Sequence, residues 1–322
     1  MRFVVYGAGA VGGVIGARLF QAGHDVALIA RGPHYEAIRT NGLRFICHDD
    51  DMTLAVPVVN HPSELTFTGD DVVLMAMKTQ HSAGALVDLS LAASSTAIAV
   101  VCAQNGVENE RLALRWFAEV YAMCVMCPAG HLEPGVVEAY ASPIAGLLDI
   151  GRYPAGAGGR AGAIAAALET ATFKSIPRDD IMRWKYAKLI ANLANAANAL
   201  CGSGSSLADI SARARSEAER VLRAAQIDFV SAEEDKQRRG DLLQMKPYGA
   251  GSGRGSSTWQ SLRRGTGSVE TDYLNGEIAM LGRRFGVPTP VNDLLARLCS
   301  MHAHLGVPPG TLDPADLLAQ LD

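Results

Sequence analysis

The first 31 residues, MRFVVYGAGAVGGVIGARLFQAGHDVALIAR, constrain the fold more than any other part of the chain. Phe3 to Tyr6 is a short β-branched and aromatic run, the pattern of a buried strand. Gly7, Gly9 and Gly12 follow as G-x-G-x-x-G, and apolar residues recur at helical spacing from Val11 to Ala22. Gly23 stops that helix, and Asp25 to Ala30 reads as the next strand. In isolation the glycine motif is weak. Placed after a strand, at the start of a helix and at the head of a βαβ unit, it is specific for a dinucleotide. Gly7 permits the tight turn, Gly9 lets the backbone approach a pyrophosphate, and Gly12 lets helix and strand pack closely. The backbone of Gly7, Ala8, Gly9, Ala10, Val11 and Gly12 is therefore the expected cradle, with free N–H groups at the helix start facing the phosphates. A flavodoxin-like turn without this ligand is the plainer alternative.

The end of the second strand separates the two nicotinamide cofactors. A carboxylate there would hold a ribose 2'-hydroxyl, whereas an arginine accommodates a 2'-phosphate. The sequence reads LIARGPH, with no acid and with Arg31 in place, which favours NADP(H). Two further strand patterns end in Lys78 and in Gln104-Asn105-Gly106. Ligands of open α/β sheets bind outside the carboxyl ends of the strands, so Lys78 and Asn105 are candidates too, against the alternative of ordinary loop residues.

At 322 residues the chain is too long for one ordinary core, and two domains are expected, 1–178 and 179–322. From Asp180 onward the pattern is helical. The stretch WKYAKLIANLANAANALCG reads as one helix carrying Lys188, Asn192, Asn195 and Asn198 among apolar residues. With Lys188 at zero and about 100° per residue, Asn192 falls near 40° and Asn195 near −20°. An ammonium and two amides then share one stripe of a largely buried helix, and buried polar groups need partners. Those partners are either other helices or a small polar ligand. Val269 to Phe285 also reads as a helix, with Glu270, Leu274, Glu277 and Leu281 on one face. Asp272 and Asn275 lie on another side, as solvated or structural residues. The stretch 249–257 is Gly- and Ser-rich, the pattern of a loop that could close over a site.

Composition excludes several classes. A net charge of −4 gives no nucleic-acid surface. No apolar run reaches the roughly 18 residues that span a bilayer, and because the sequence starts directly with a strand pattern no signal peptide is expected. Six scattered cysteines make no disulfide framework and fit a reducing cytoplasm. Cys124 and Cys127 form a C-x-x-C inside a strand pattern, without a second Cys or His pair, so no metal is expected.

These residues together resemble the ketopantoate reductases (2-dehydropantoate 2-reductases) over nearly the whole chain. The matches run in order: GAGAVGG, Arg31, Lys78, QNG at 104–106, KLIAN at 188–192, VETDYLNG at 269–276 and GVPTPVN at 286–292. The resemblance implies an α/β Rossmann-type N-terminal domain, an all-α C-terminal domain and a cleft between them. It implies NADPH as hydride donor and a branched 2-oxo acid as substrate, most simply ketopantoate in pantothenate biosynthesis. By the same resemblance Lys188 matches the catalytic lysine and Glu270 the catalytic-site glutamate. Asn192 matches a substrate-binding asparagine, Asn105 the asparagine where cofactor and substrate meet, and Arg31 and Lys78 cofactor-binding positions. Two positions depart from the family pattern. Its second asparagine falls where Ala196 stands, with Asn195 one residue early. Its carboxylate-binding serine corresponds to Ser257 or, counted differently, to Thr258. A reductase of another oxo acid and a non-catalytic NADPH-binding regulator remain as alternatives. The sequence is compatible with a homodimer.

Overall fold

A computed structural model of the chain describes residues 1–93, 97–202, 207–246 and 255–321. By their internal contacts they form two units. The first holds Met1–Lys185 and the described residues 232–246. The second holds Tyr186–Ser231 and the described residues from 255 on. The sequence places one boundary near residue 178. The division instead falls inside a helix, between Lys185 and Tyr186, and a later stretch returns to the first unit.

In chain order the elements begin β1 (Arg2–Tyr6), α1 (Ala10–Gln21), β2 (Asp25–Ile29), α2 (Gly32–Asn41), β3 (Leu43–Cys47), β4 (Asp50–Leu54), β5 (Val58–Val59) and β6 (Asp71–Met75). Next come α3 (Ser82–Ala92), β7 (Ala99–Cys102), α4 (Asn109–Ala113), β8 (Val120–Met126), β9 (Ala129–Gly130), β10 (Val136–Ala139), β11 (Gly146–Arg152), α5 (Gly158–Thr170) and β12 (Phe173–Lys174). The rest is helical: α6 (Ile181–Asn192), α7 (Ala194–Cys201), α8 (Leu207–Ala224), α9 (Ala232–Arg239), α10 (Ser257–Arg264), α11 (Asn275–Phe285), α12 (Pro290–Leu305) and α13 (Pro314–Leu318).

An eight-stranded sheet in the order β12-β11-β8-β7-β6-β1-β2-β5 organises the first unit. Its central pairs are parallel, from β2 through β1, β6 and β7 to β8, and β11 runs antiparallel to β8. Every residue of β6, β7 and β8 is buried, as a sheet covered on both faces requires. Alternation along β1 feeds two cores. Phe3 and Val5 pack with Ile15 and Leu19 of α1 and Ile164 and Leu168 of α5. Val4 faces the other way, with Leu86 and Leu89 of α3. The chain order doubles back at β1, whose neighbours are β2 and β6. This is the switch point at which such sheets hold ligands.

The returning helix α9 is fastened to this sheet by charge. Asp149 of β11, 4 % exposed, accepts two hydrogen bonds from Arg238, at 2.8 and 2.6 Å. It accepts a third from Arg178 at 2.7 Å and a fourth from the Ile176 N–H at 3.0 Å.

A buried polar chain holds the second unit together. Asn275, at the start of α11, donates from Nδ2 to the carbonyl of Leu193 at 3.2 Å and to Asn292 Oδ1 at 3.0 Å. Asn292 of α12 donates from Nδ2 to Glu217 Oε2 at 2.8 Å and to the Ala214 carbonyl at 3.0 Å. The Glu217 carboxylate of α8 also accepts the N–H groups of Val291 and Asn292 at 2.9 and 3.0 Å, so a neighbouring helix caps α12. Among the described residues no helix is long and apolar enough to cross a membrane.

Glu217→Ala should strand three buried donors, at about 1–3 kcal/mol for each left unsatisfied. Removing Glu219, whose ion pair with Arg223 lies on the surface, should cost about 0.5 kcal/mol or less. Urea unfolding of both variants checks this, and equal midpoints would refute the capping role of Glu217.

Candidate functional site

The glycine turn lies where β1 ends. Gly7 has φ +100°, and a Cβ there would sit 2.5 Å from the Met77 nitrogen. A Cβ on Gly12 would sit 2.1 Å from the Gly7 carbonyl oxygen, so α1 reaches the strand only because Gly12 has no side chain. Gly9 differs. A Cβ built there meets nothing nearer than His131 Cδ2 at 3.9 Å. Space is therefore left open over the residue that caps α1, a helix with no acidic residue in its first turn. Ala8, Ala10 and Val11 complete this turn, where the first N–H groups of α1 have no partner within the helix.

Arg31 is exposed at the N-cap of α2, just past the end of β2. Its charge reaches Tyr6, whose hydroxyl is pushed up to about 12 by burial and by Asp88, with Arg31 opposing. Lys78 is half-buried and precedes a single 3-10 turn after β6. Asn105 follows β7, ahead of Gly106 at φ +79°. The ends of β2, β1, β6 and β7 are consecutive in the sheet, at about 4.8 Å per strand. Arg31, the glycine turn, Lys78 and Asn105 thus line one edge of the first unit.

A buried network not foreseen from the sequence holds the Asn105 turn. Gln104 Nε2 donates to the Met77 carbonyl and to Ser82 Oγ, both at 2.8 Å. Ser82 donates to Asn109 Oδ1 at 2.7 Å, and Asn109 Nδ2 donates to Thr79 Oγ1 at 3.0 Å. Lys185 donates to the Gln104 carbonyl at 3.0 Å and pairs with fully buried Glu110. The only hint in the sequence was a second lysine one turn before Lys188. Among the described residues the buried Asn105 Oδ1 has no hydrogen-bond partner, and neither do Gln104 Oε1 and Glu110 Oε2 of the same network. An open Gly9 face, an uncompensated helix start and an unpaired amide acceptor fit a nicotinamide dinucleotide. Gly7 to Gly12, Arg31, Lys78 and Asn105 would hold it.

In the second unit the expected continuous helix is broken at Leu193, between α6 and α7. The Leu193 N–H bonds back only three residues, to Ile190 at 3.3 Å, and its carbonyl receives Asn275. Angles measured along one regular helix therefore do not carry past Asn192, and the placement of Asn195 from them is corrected. Lys188 is half-buried on α6. Asn192, one turn on, is 7 % exposed, and its Nδ2 has no hydrogen-bond partner among the described residues. Asn195 is half-buried, and its carbonyl accepts from Ser256 Oγ at 3.1 Å. Asn198 is structural: it accepts from the Ser256 N–H at 3.1 Å and donates to the Gly202 carbonyl at 3.1 Å.

Glu270 is also placed differently from the expectation. It is buried in a single 3-10 turn, Glu270–Tyr273, and α11 begins only at Asn275, past Leu274 at φ −114°, ψ −86°. The one-face reading of Glu270 with Glu277 and Leu281 is therefore corrected. Asn275 is structural, as one of its two expected readings had it. Ser256 caps α10, Ser257 is its half-buried first residue, and Thr258 is buried. Of the expected mobile loop, residues 249–254 lie outside the described residues. Among the described residues no group of three or more His, Cys, Asp or Glu could hold a metal ion.

Comparison with known proteins agrees with this layout. The model of the ketopantoate reductase PanE/ApbA family matches residues 3–154, and that of its C-terminal region matches 180–303. A 2-dehydropantoate 2-reductase of Archaeoglobus fulgidus is 28% identical over 306 residues, covering 92% of this chain and 96% of its own. A crystal structure of a PanE/ApbA family ketopantoate reductase from Ralstonia eutropha JMP134 superposes with TM-score 0.79 at 28% identity, covering 95% and 99% of the two chains. A ternary structure of D-mandelate dehydrogenase with NADH and anilino(oxo)acetate has the same fold, at TM-score 0.81 and 24% identity, over 95% and 99% of the chains. The two matched regions together span most of the sequence, and the chain belongs to the ketopantoate reductase PanE/ApbA family of nicotinamide-dependent oxidoreductases.

Proposed function

We propose that the protein reduces a branched 2-oxo acid, 2-dehydropantoate, to the 2-hydroxy acid pantoate, with NADPH as the reductant, as a cytoplasmic enzyme of pantothenate biosynthesis. The observation that carries this reading is the Nδ2 of buried Asn192, one helical turn from Lys188 and without a partner among the described residues. A buried amide donor without a partner costs stability and is accounted for by a ligand oxygen. The dinucleotide, when bound, supplies a hydride to C2 of the substrate.

Lys188, as an ammonium, donates a hydrogen bond to the C2 oxygen and then its proton, completing the alcohol. Before that transfer its charge stabilises the developing alkoxide. Glu270 orients Lys188 or binds a substrate hydroxyl. Asn192 and Asn195 bind hydroxyl groups of the substrate, and Ser257 its carboxylate. Asn105 Oδ1 accepts a hydrogen bond where dinucleotide and substrate meet. Arg31 supports NADPH over NADH, because no carboxylate stands at the end of β2 to repel a 2'-phosphate.

Arg31→Ala should weaken NADPH binding by roughly tenfold to a hundredfold, the worth of a charge-assisted hydrogen bond, and NADH binding far less. Titration with both dinucleotides measures it, and equal losses would remove Arg31 from reading the 2'-phosphate. Lys188→Ala should lower kcat by roughly 10² to 10⁴ while the NADPH Kd stays near wild type. A variant that keeps wild-type kcat would show that the proton comes from elsewhere.

A further inference from the structure

The two peptide groups that flank Asn105 are each held by a buried side chain. The strand β7 ends at Cys102, so the Gln104 carbonyl lies past its ladder. That carbonyl accepts instead from Lys185 Nζ at 3.0 Å. Its oxygen and the Asn105 nitrogen belong to one planar peptide, so a donor fixed on the oxygen fixes the plane from which Asn105 departs. On the other side the Asn105 carbonyl accepts from Asn109 Nδ2 at 3.4 Å. Asn109 is buried and is itself held by Ser82 Oγ and Thr79 Oγ1. Gly106 follows at φ +79°, a conformation open to glycine, and turns the chain away. The backbone of Asn105 is braced before and after, while its Oδ1 has no partner among the described residues.

Stability does not account for the choice of Lys185 and Glu110 behind this turn. Lys185 is 3 % exposed, and Glu110, its partner, is fully buried. Taking both charges out of water costs about as much as their attraction returns. Well-packed apolar residues of the same volume serve a core as well or better. What an apolar pair would not supply is a fixed donor at the Gln104 carbonyl. A charged donor makes a stronger bond there than a neutral one. Lys185 stands on α6 and Glu110 on α4, so both members of the pair are mounted on helices. The Gln104 side chain meanwhile donates to the Met77 carbonyl and to Ser82, so the neighbouring turn that carries Lys78 shares the brace.

We propose that Lys185, balanced by Glu110, is a positioning residue for the dinucleotide. It fixes the peptide ahead of Asn105 and so aims the Asn105 amide at the nicotinamide half. This rests on the reading of Asn105 as a cofactor-binding residue. The test is calorimetric titration with NADPH and with adenosine 2',5'-bisphosphate, which lacks the nicotinamide half. The proteins are the wild type, Asn105→Ala, the paired replacement Lys185→Met/Glu110→Leu, and the triple variant. The paired replacement removes both charges together and keeps the side-chain volumes close to the original. Asn105→Ala should weaken NADPH by roughly threefold to tenfold, the worth of one hydrogen bond. The paired replacement should weaken it by a similar factor, and the triple variant no further, because the two changes act through one contact. The bisphosphate should bind all of them alike. Additive losses, a matching loss of the bisphosphate, or wild-type NADPH affinity in the paired replacement overturns the assignment. Lys185→Met/Glu110→Gln makes the same prediction and takes the place of the first pair if that pair unfolds. Unfolding of both makes Lys185 a requirement of the fold alone and overturns the assignment. Wild-type NADPH affinity in Asn105→Ala overturns the Asn105 reading itself, and this assignment with it.

Discussion

The candidate cofactor site depends on one backbone contact. The start of α1 lies so close to the end of β1 that a single methyl on Gly12 would fall 2.1 Å from the Gly7 carbonyl. That approach fixes the helix N-terminus at the switch point of the sheet. There the ends of β2, β6 and β7 bring Arg31, Lys78 and Asn105 to the same edge. A larger residue at Gly12 would force the helix away and move the first N–H groups with it. Anion binding at a helix start depends on distance, and its effect fades beyond the first turn.

Buried polar groups tie the framework of this chain together, and a few of their atoms are left without a partner among the described residues. Glu217, Asn275 and Asn292 spend their capacity on helix ends and on each other, and they hold four helices of the second unit in register. Gln104, Asn109 and Lys185 do the same behind the Asn105 turn. Among the described residues Asn105 Oδ1 and Asn192 Nδ2 have no partner, and neither do Gln104 Oε1, Glu110 Oε2 and Asn275 Oδ1 within these networks. A polar atom taken out of water without a partner costs on the order of 1–3 kcal/mol. Asn105 and Asn192 are the two that the proposed reduction would use.

The sequence revealed the glycine turn because its signal is local: three glycines between a strand pattern and a helix pattern. That Lys188 and Asn192 stand one turn apart on one helix was legible for the same reason, whereas their roles are proposals. What failed depended on distant partners. Periodicity carried a helix from Val269 to Phe285, but buried Asn275 is drawn to Leu193 and Asn292, and the helix starts only there. The same bond marks the break at Leu193. Helix α9 has no buried residue and no apolar stripe to announce its place, which its ion pair with Asp149 sets.

The central claim is that the second unit recognises a hydroxyl-bearing 2-oxo acid through Asn192. The most direct measurement is kcat/KM for NADPH oxidation with ketopantoate and with 2-oxoisovalerate, which lacks the hydroxymethyl group. A site built to bond a hydroxyl leaves its own amides unpaired when that group is missing, and it discriminates by orders of magnitude. The account predicts a large preference for ketopantoate that collapses in Asn192→Ala. Equal kcat/KM values for the two acids in the wild type would contradict it.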